Sequence, residues 1–423
     1  MDSSSRCAND PPEFWQQKFA DTTLWVIVDR NHENGKFEEA SFRHTSGYGK
    51  ISVMNKREEK IEKLNGEPRL LKLVRVAGSH REMGRQIGEE CRQQIQHSIE
   101  NARKLLADAY DTLQLDWDGA LIQARKYMPF ADERYPQYVE ELRGMAEGAN
   151  VGLDDLGMLN AMEAVTMDAL HLTKCTSMAV SQERTTNDRV LIAHNEDWLP
   201  EDEADVFLIY AKPDDEPPFL AMTYGGLLPN IGFNAYGIAQ CCDSVYPTDS
   251  RIGIPRIIVS RAVLAARTPG EAIRHMLAPH RAAGYNHLLA HESGEIYSVE
   301  VSARQFAILE PENGVMVHTN HYLDTHMRTI ESEPDELIST RVRYLRAKRL
   351  LAQQEKHTIR SLQAIQKDHV NHPDSICNHA VVGDPLDREK TITALTIDLT
   401  NRQMHACWGN PCSSVFSTYQ LDA

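Results

Sequence analysis

The hydrophobic pattern of this 423-residue chain changes period at Cys175, and no other feature restricts its fold as much. Upstream, residues 70–76 read as a strand and a long helix begins near Arg81. In that helix Ile87, Cys91, Ile95, Ile99, Ala102 and Leu106 return at steps of three or four and share one buried face. Further helices are predicted at 135–148 and 154–170, punctuated by Gly148 and Gly152, with Asp154 as N-cap. Downstream come short strand segments at 176–181, 189–194, 205–212, 219–224, 236–241, 286–291, 296–301, 304–309 and 314–319. Helices are expected at 255–266, 270–278 and 336–353, and strands at 391–399 and 402–408 close the chain. This order suits an α+β layered sandwich with sheets at its centre. Residues 1–66 are polar and irregular, with one candidate strand at 24–28, and read as an extension on a fold that starts later. It could serve as an oligomerisation arm or a lid, with Trp15, Trp25 and Phe42 available for burial.

Composition excludes more than it selects. A net charge of −16 argues against nucleic acid and anionic membrane surfaces as partners. No apolar run reaches the ~18 residues of a membrane span, and the amino terminus lacks the regions of a secretory signal. The eight cysteines are scattered without a Cys-x-x-Cys pair, so they read as mostly reduced thiols in a cytoplasmic protein.

Cys175 opens an apolar strand, Arg184–Arg189 forms a turn, and a second strand ends in Asn195-Glu-Asp197-Trp198. Alone, such a cysteine is ordinarily a small buried hydrophobe. Its company changes that reading. Together with the segments 76–88 and 141–148, Gly232-Phe-Asn234-Ala-Tyr-Gly237, His318-Thr-Asn320-His321 and Gly409-Asn-Pro-Cys412, it resembles the isopenicillin-N acyltransferase family over most of 70–418. These are the self-cleaving cysteine branch of the N-terminal-nucleophile hydrolases. The resemblance implies a four-layer αββα sandwich preceded by an extension, 1–66. A helical segment, 67–174, and a catalytic segment, 175–423, would form one domain and stay associated after the chain cuts itself between Lys174 and Cys175.

An amide needs a nucleophile, a base and an oxyanion donor. An N-terminal cysteine supplies the first two, because a free α-amine has a reference pKa of about 7.7–8.0. By resemblance Cys175 is the nucleophile, Asp197 orients its amine and Asn320 donates to the oxyanion. Asn234 is a second donor or amine-positioning group, Asn195 braces the Asp197 loop, and Thr176 supports the site. Each has a plain alternative: Asp197 as a turn cap, Asn320 as a backbone brace, Asn234 as a positive-φ turn residue. The family carries glycine before the nucleophile, whereas Lys174 stands here, which puts efficient self-cleavage in question.

The expected activity is hydrolysis of a linear amide, with acyl transfer to an amine or a silent precursor as alternatives, and a homo-oligomer is expected. Arg388 and Lys390 could meet a substrate carboxylate, and the acidic run Glu201–Asp205 could favour an amine-bearing substrate, although solvated charge explains both. No cofactor and no metal are expected. His318, His321 and His326 have a zinc-like spacing, but His318 and His321 differ by an odd step on a strand and face opposite ways. The same parity predicts one buried and one exposed thiol for Cys241 and Cys242.

Overall fold

The computed structural model describes residues 69–166, 174–332, 337–381 and 389–422, and the backbone of four strands between 14 and 51. The chain divides into two units, Met1–Glu67 and Pro68–Ala423. The first is not irregular. It holds an antiparallel meander of β1 (Phe14–Phe19), β2 (Thr22–Val28), β3 (Ala40–His44) and β4 (Gly47–Ile51). Only β2 has a continuous apolar run; its partners pair through backbone hydrogen bonds, which hydropathy does not reveal. The side chains of Trp15, Trp25 and Phe42 lie outside the described residues.

The second unit opens with β5 (Lys72–Gly78), followed by α1 (His80–Glu90) and α2 (Arg92–Asp108). The single long helix predicted here breaks at Cys91, whose φ of −111° leaves the helical range. Next come α3 (Trp117–Ala124), α4 (Pro136–Ala149) and α5 (Leu153–Asn160). The helix predicted to 170 stops at Asn160, with one further turn at Met162–Val165.

Beyond Cys175 lie β6 (Thr176–Val180), β7 (Leu191–Trp198), β8 (Val206–Pro213), β9 (Phe219–Tyr224), β10 (Ile231–Asn234) and β11 (Ile238–Asp243). After α6 (Arg256–Val263) and α7 (Pro269–Met276) follow β12 (Tyr285–His291), β13 (Ile296–Val301), β14 (Phe306–Leu309) and β15 (Val315–His318). Helices α8 (Ile338–Ala352) and α9 (Ile359–Gln366) precede β16 (Lys390–Asp398), β17 (Gln403–Trp408) and β18 (Ser417–Gln420).

Two sheets result, ordered β14-β13-β12-β11-β10-β9-β8-β5 and β15-β6-β7-β16-β17-β18. They face each other through β11 against β6 and β7, and β13 against β15. Helices α1, α2 and α7 cover the outside of the larger sheet, and α8 and α9 that of the smaller. This is the expected αββα sandwich. Because both faces of the central strands are covered, β7 and β11 are buried along their whole length. Cys241 and Cys242 are therefore both buried, not one in and one out. Among the described residues no helix is long and apolar enough to cross a membrane.

Helices α1 and α4 approach closely because glycine lines their contact. A Cβ on Gly84 would sit 1.9 Å from the Glu141 carbonyl oxygen, and one on Gly144 1.9 Å from that of Arg81. Gly84→Ala and Gly144→Ala must push the helices apart, and each should cost about 1–3 kcal/mol in urea unfolding. Gly270 has nothing within 4 Å of a built Cβ, so Gly270→Ala should leave the midpoint unchanged or raise it slightly.

Candidate active site

Strands β6 and β7 pair with Thr176 opposite Asn195, which sets Cys175 beside Glu196. Alternation then divides the polar residues. Ser177, His194 and Glu196 face the larger sheet, whereas Thr176, Asn195 and Asp197 face α8, α9 and the segment after them. All are buried.

On the first face the thiol of Cys175 lies 3.7 Å from Glu196 Oε2. His194 Nε2 is 2.8 Å from the same oxygen, and its Nδ1 is 2.9 Å from Ser177 Oγ. Ser177 donates its hydroxyl proton to Asp243 Oδ1 at 2.8 Å, which leaves its oxygen to accept from His194 Nδ1. Tyr224 donates to Glu196 Oε1 at 3.3 Å. Burial, then the charges of Glu196, Asp243 and Asp197, hold the Cys175 thiol well above its ordinary pKa. With its amide intact, Cys175 is a protonated thiol facing a carboxylate.

The opposite face is organised by Arg343 of α8, which sequence reading missed. Its guanidinium donates to the Cys175 carbonyl oxygen at 2.5 Å, to Thr176 Oγ1 at 2.9 Å and to Asn320 Oδ1 at 2.9 Å. The planar fork ties three segments distant in sequence and fixes which way the Asn320 amide points. Asn320 Nδ2 donates to the Ser244 carbonyl at 3.1 Å. Asp197 Oδ1 accepts from Thr391 Oγ1 at 2.6 Å, and Asp197 Oδ2, also buried, has no hydrogen-bond partner among the described residues. Burial pushes the Asp197 carboxyl well up, against the opposing pull of Arg343 and Thr391. Arg343 was hidden among the basic residues of an exposed-looking helix; burial alone distinguishes it.

Other predicted residues fall elsewhere. Asn195 braces no loop: it stands within β7 and donates to the carbonyls of Gln366 and Ile376 at 3.0 and 2.9 Å, holding α9 and the following segment to the strand. Asn234 is a turn brace rather than a catalytic donor. It donates to the carbonyls of Leu264 and Ala266 and accepts from the backbone of Tyr236 and Ile238, so no amide proton remains for a substrate. It also meets the start of β11, while Asp243, the end near Cys175, lies five residues on, roughly 17 Å. Asn234→Ala should lower stability by about 1–3 kcal/mol and leave kcat of the folded fraction unchanged, a split read from melting curves and steady-state kinetics.

Lys174 pairs with Glu389 at 3.3 Å. It is not among the residues with left-handed φ, so this backbone does not require the family's glycine. Lys390 pairs with Glu203, and Arg388 lies outside the described residues. The acidic run is committed internally: Asp202 accepts from Asn101 and Trp198, and Asp205 from His97. His318 sits between Glu300 and Asp243, whereas His321 bonds Thr319 and Thr340, so the two serve separate partners. Behind Tyr224 a pocket of about 30 Å³, room for one water, is lined by Leu105, Leu159, Met162, Trp198, Leu227 and Ile257, with Glu163 and Asp202 at its polar edge.

A family model described as acyl-coenzyme A:6-aminopenicillanic acid acyl-transferase matches residues 184–413. The chain belongs to that family. Membership makes it an enzyme of the acyl-transferring and amide-hydrolysing kind. It is 24% identical over 343 residues to the acyl-coenzyme A:6-aminopenicillanic-acid-acyltransferase 40 kDa form of Emericella nidulans, covering 80% of this chain and 92% of that protein. The beta-alanyl-dopamine/carcinine hydrolase of Drosophila melanogaster is 27% identical over 217 residues, 47% of this chain and about half (54%) of that protein. Among solved structures, penicillin V acylase from Agrobacterium tumefaciens covers 55% of this chain and 83% of its own, with a TM-score of 0.41 and 15% identity.

Proposed function

We propose that the chain cuts itself between Lys174 and Cys175, and that the freed Cys175 hydrolyses linear amides through an S-acyl intermediate. The observation that carries this reading is a buried thiol 3.7 Å from a carboxylate able to take its proton, at the start of the strand pair that holds Asp197. In self-cleavage Glu196 accepts the thiol proton and Sγ attacks the Lys174 carbonyl carbon. The Lys174–Cys175 C–N bond breaks, the nitrogen takes up a proton and the Lys174 acyl group becomes a thioester on Cys175. Water then releases Lys174 as a carboxylate and restores the thiol.

Cutting changes the electrostatics that held the thiol protonated. A new ammonium at Cys175 favours the thiolate beside it, as any adjacent positive charge does. It also offers a partner to Asp197 Oδ2. In turnover the amine is the base, Asp197 orients it, Asn320 supplies the oxyanion donor and Arg343 holds Asn320 in place. The two pieces stay together because β5, from the first, is hydrogen-bonded to β8 of the second.

The family description favours a second reading, acyl transfer to an amine, which shares the same S-acyl intermediate. Intact mass under denaturing conditions, with amino-terminal sequencing, tests the cleavage. Two chains, the second beginning Cys-Thr-Ser-Met, are expected. The activity test is an amide panel including β-alanyl-dopamine, carcinine and acyl donors with 6-aminopenicillanic acid. A single uncut chain without turnover would sink the proposal.

A further inference from the structure

Outside the catalytic region, four metal-competent side chains converge at the end of the chain. His369 and Cys377 follow α9, His379 comes two residues later, and Cys412 lies in the closing turn. Their ligating atoms all lie within 4.8 Å of one another. His379 Nε2 is 3.1 Å from His369 Nε2, 3.6 Å from Cys377 Sγ and 3.4 Å from Cys412 Sγ. A tetrahedral zinc ion with bonds of about 2.05 Å to nitrogen and 2.3 Å to sulfur separates its ligands by about 3.3 Å for N···N and 3.6 Å for N···S. The three observed separations lie close to those values.

We propose that His369, Cys377, His379 and Cys412 form a structural zinc site. Two thiolates and two imidazoles are the soft, closed donor set that zinc takes in structural sites, and binding releases the two thiol protons. The surroundings fit that role. Asn410 Nδ2 donates to Cys377 Sγ at 3.6 Å and to the Asn378 carbonyl oxygen, which orients both the ligand and its turn.

The site is linked to Asp197 through Asn378 and Thr391. Asn378, between Cys377 and His379, donates its backbone N–H to Thr391 Oγ1 at 2.9 Å, and Thr391 donates to Asp197. A metal there would pin the turn that orients the hydroxyl holding Asp197.

The test is metal content of the full chain purified with reductant, followed by cobalt loading of chelator-treated protein. About one zinc per chain, and a thiolate-to-cobalt charge-transfer band with intense visible bands, are expected. His369 and Cys412 are exposed, so His369→Ala and Cys412→Ser should keep the wild-type circular dichroism while zinc falls below about a tenth per chain. Protein without zinc that also gives no thiolate band with cobalt would overturn the site. So would variants that keep full zinc. A Cys377–Cys412 disulfide found by peptide mass spectrometry of reductant-purified protein would replace the site with a redox pair.

Discussion

A Cys175→Ala chain will be recovered as one intact polypeptide of 423 residues with no amidase activity, and no other single change will remove as much. Losing a nucleophile outright costs on the order of 10⁶ in the acyl step. The variant should still fold, because Cys175 contributes one small side chain and its carbonyl contact with Arg343 persists. Glu196→Gln separates processing from turnover. If Glu196 takes the thiol proton in the uncut chain, its amide variant should mature about 10²–10⁴-fold more slowly. Once cut, that variant should regain much of its turnover, since the free amine then serves as base. Time-resolved intact mass gives the first rate and a burst assay the second. Wild-type maturation of Glu196→Gln would move the base elsewhere.

The sheets were legible because their strands carry apolar runs long enough to outweigh everything nearby. Phe219–Tyr224 and Ile296–Val301 coincide with their predicted bounds. Strands Ile231–Asn234 and Ser417–Gln420 escaped because four residues give too little pattern to see. Helix α9 escaped because only Leu362, Ile365 and Gln366 of it are buried.

Part of the candidate site was legible through motifs that resemble a known family. The family resemblance singled out Cys175, Asp197 and Asn320; all three are buried, and Arg343 joins the Cys175 and Asn320 segments. The rest depended on where neighbouring strands put their faces. Asn234 sits in a motif-like run, but its amide is fully spent on backbone carbonyls. Glu196 was not singled out within Asn195-Glu-Asp197-Trp198, although strand parity sets it next to the thiol. The cluster around His379 has no compact spacing: Cys412 arrives from the closing turn, and only the fold assembles it.

Between pH 6.5 and 9 the protein should lose about 3 kcal/mol of stability through one buried imidazole. Burial alone would lower the His318 pKa, but its hydrogen bonds and charge contacts with Asp243 and Glu300 outweigh burial and raise it from 6.5 to about 9. A group whose pKa is higher folded than unfolded binds its proton more tightly in the native state. Its contribution is therefore complete below pH 6.5, declines as pH rises and is lost above about 9. At 1.36 kcal/mol per unit of pH the total is about 3 kcal/mol. His318→Gln removes the cation and leaves Asp243 and Glu300, buried on the same sheet, without their positive partner, a loss of about 3–5 kcal/mol at pH 6. The decisive comparison is the difference in urea midpoint between wild type and His318→Gln at pH 6, 7.5 and 9. It should shrink steadily with pH, because the wild type loses the proton that the variant never had. A constant difference would mean that folded and unfolded His318 bind their proton equally well. Asp243 also receives the Ser177 hydroxyl that begins the chain to His194 and Glu196, so the same titration should slow maturation at high pH.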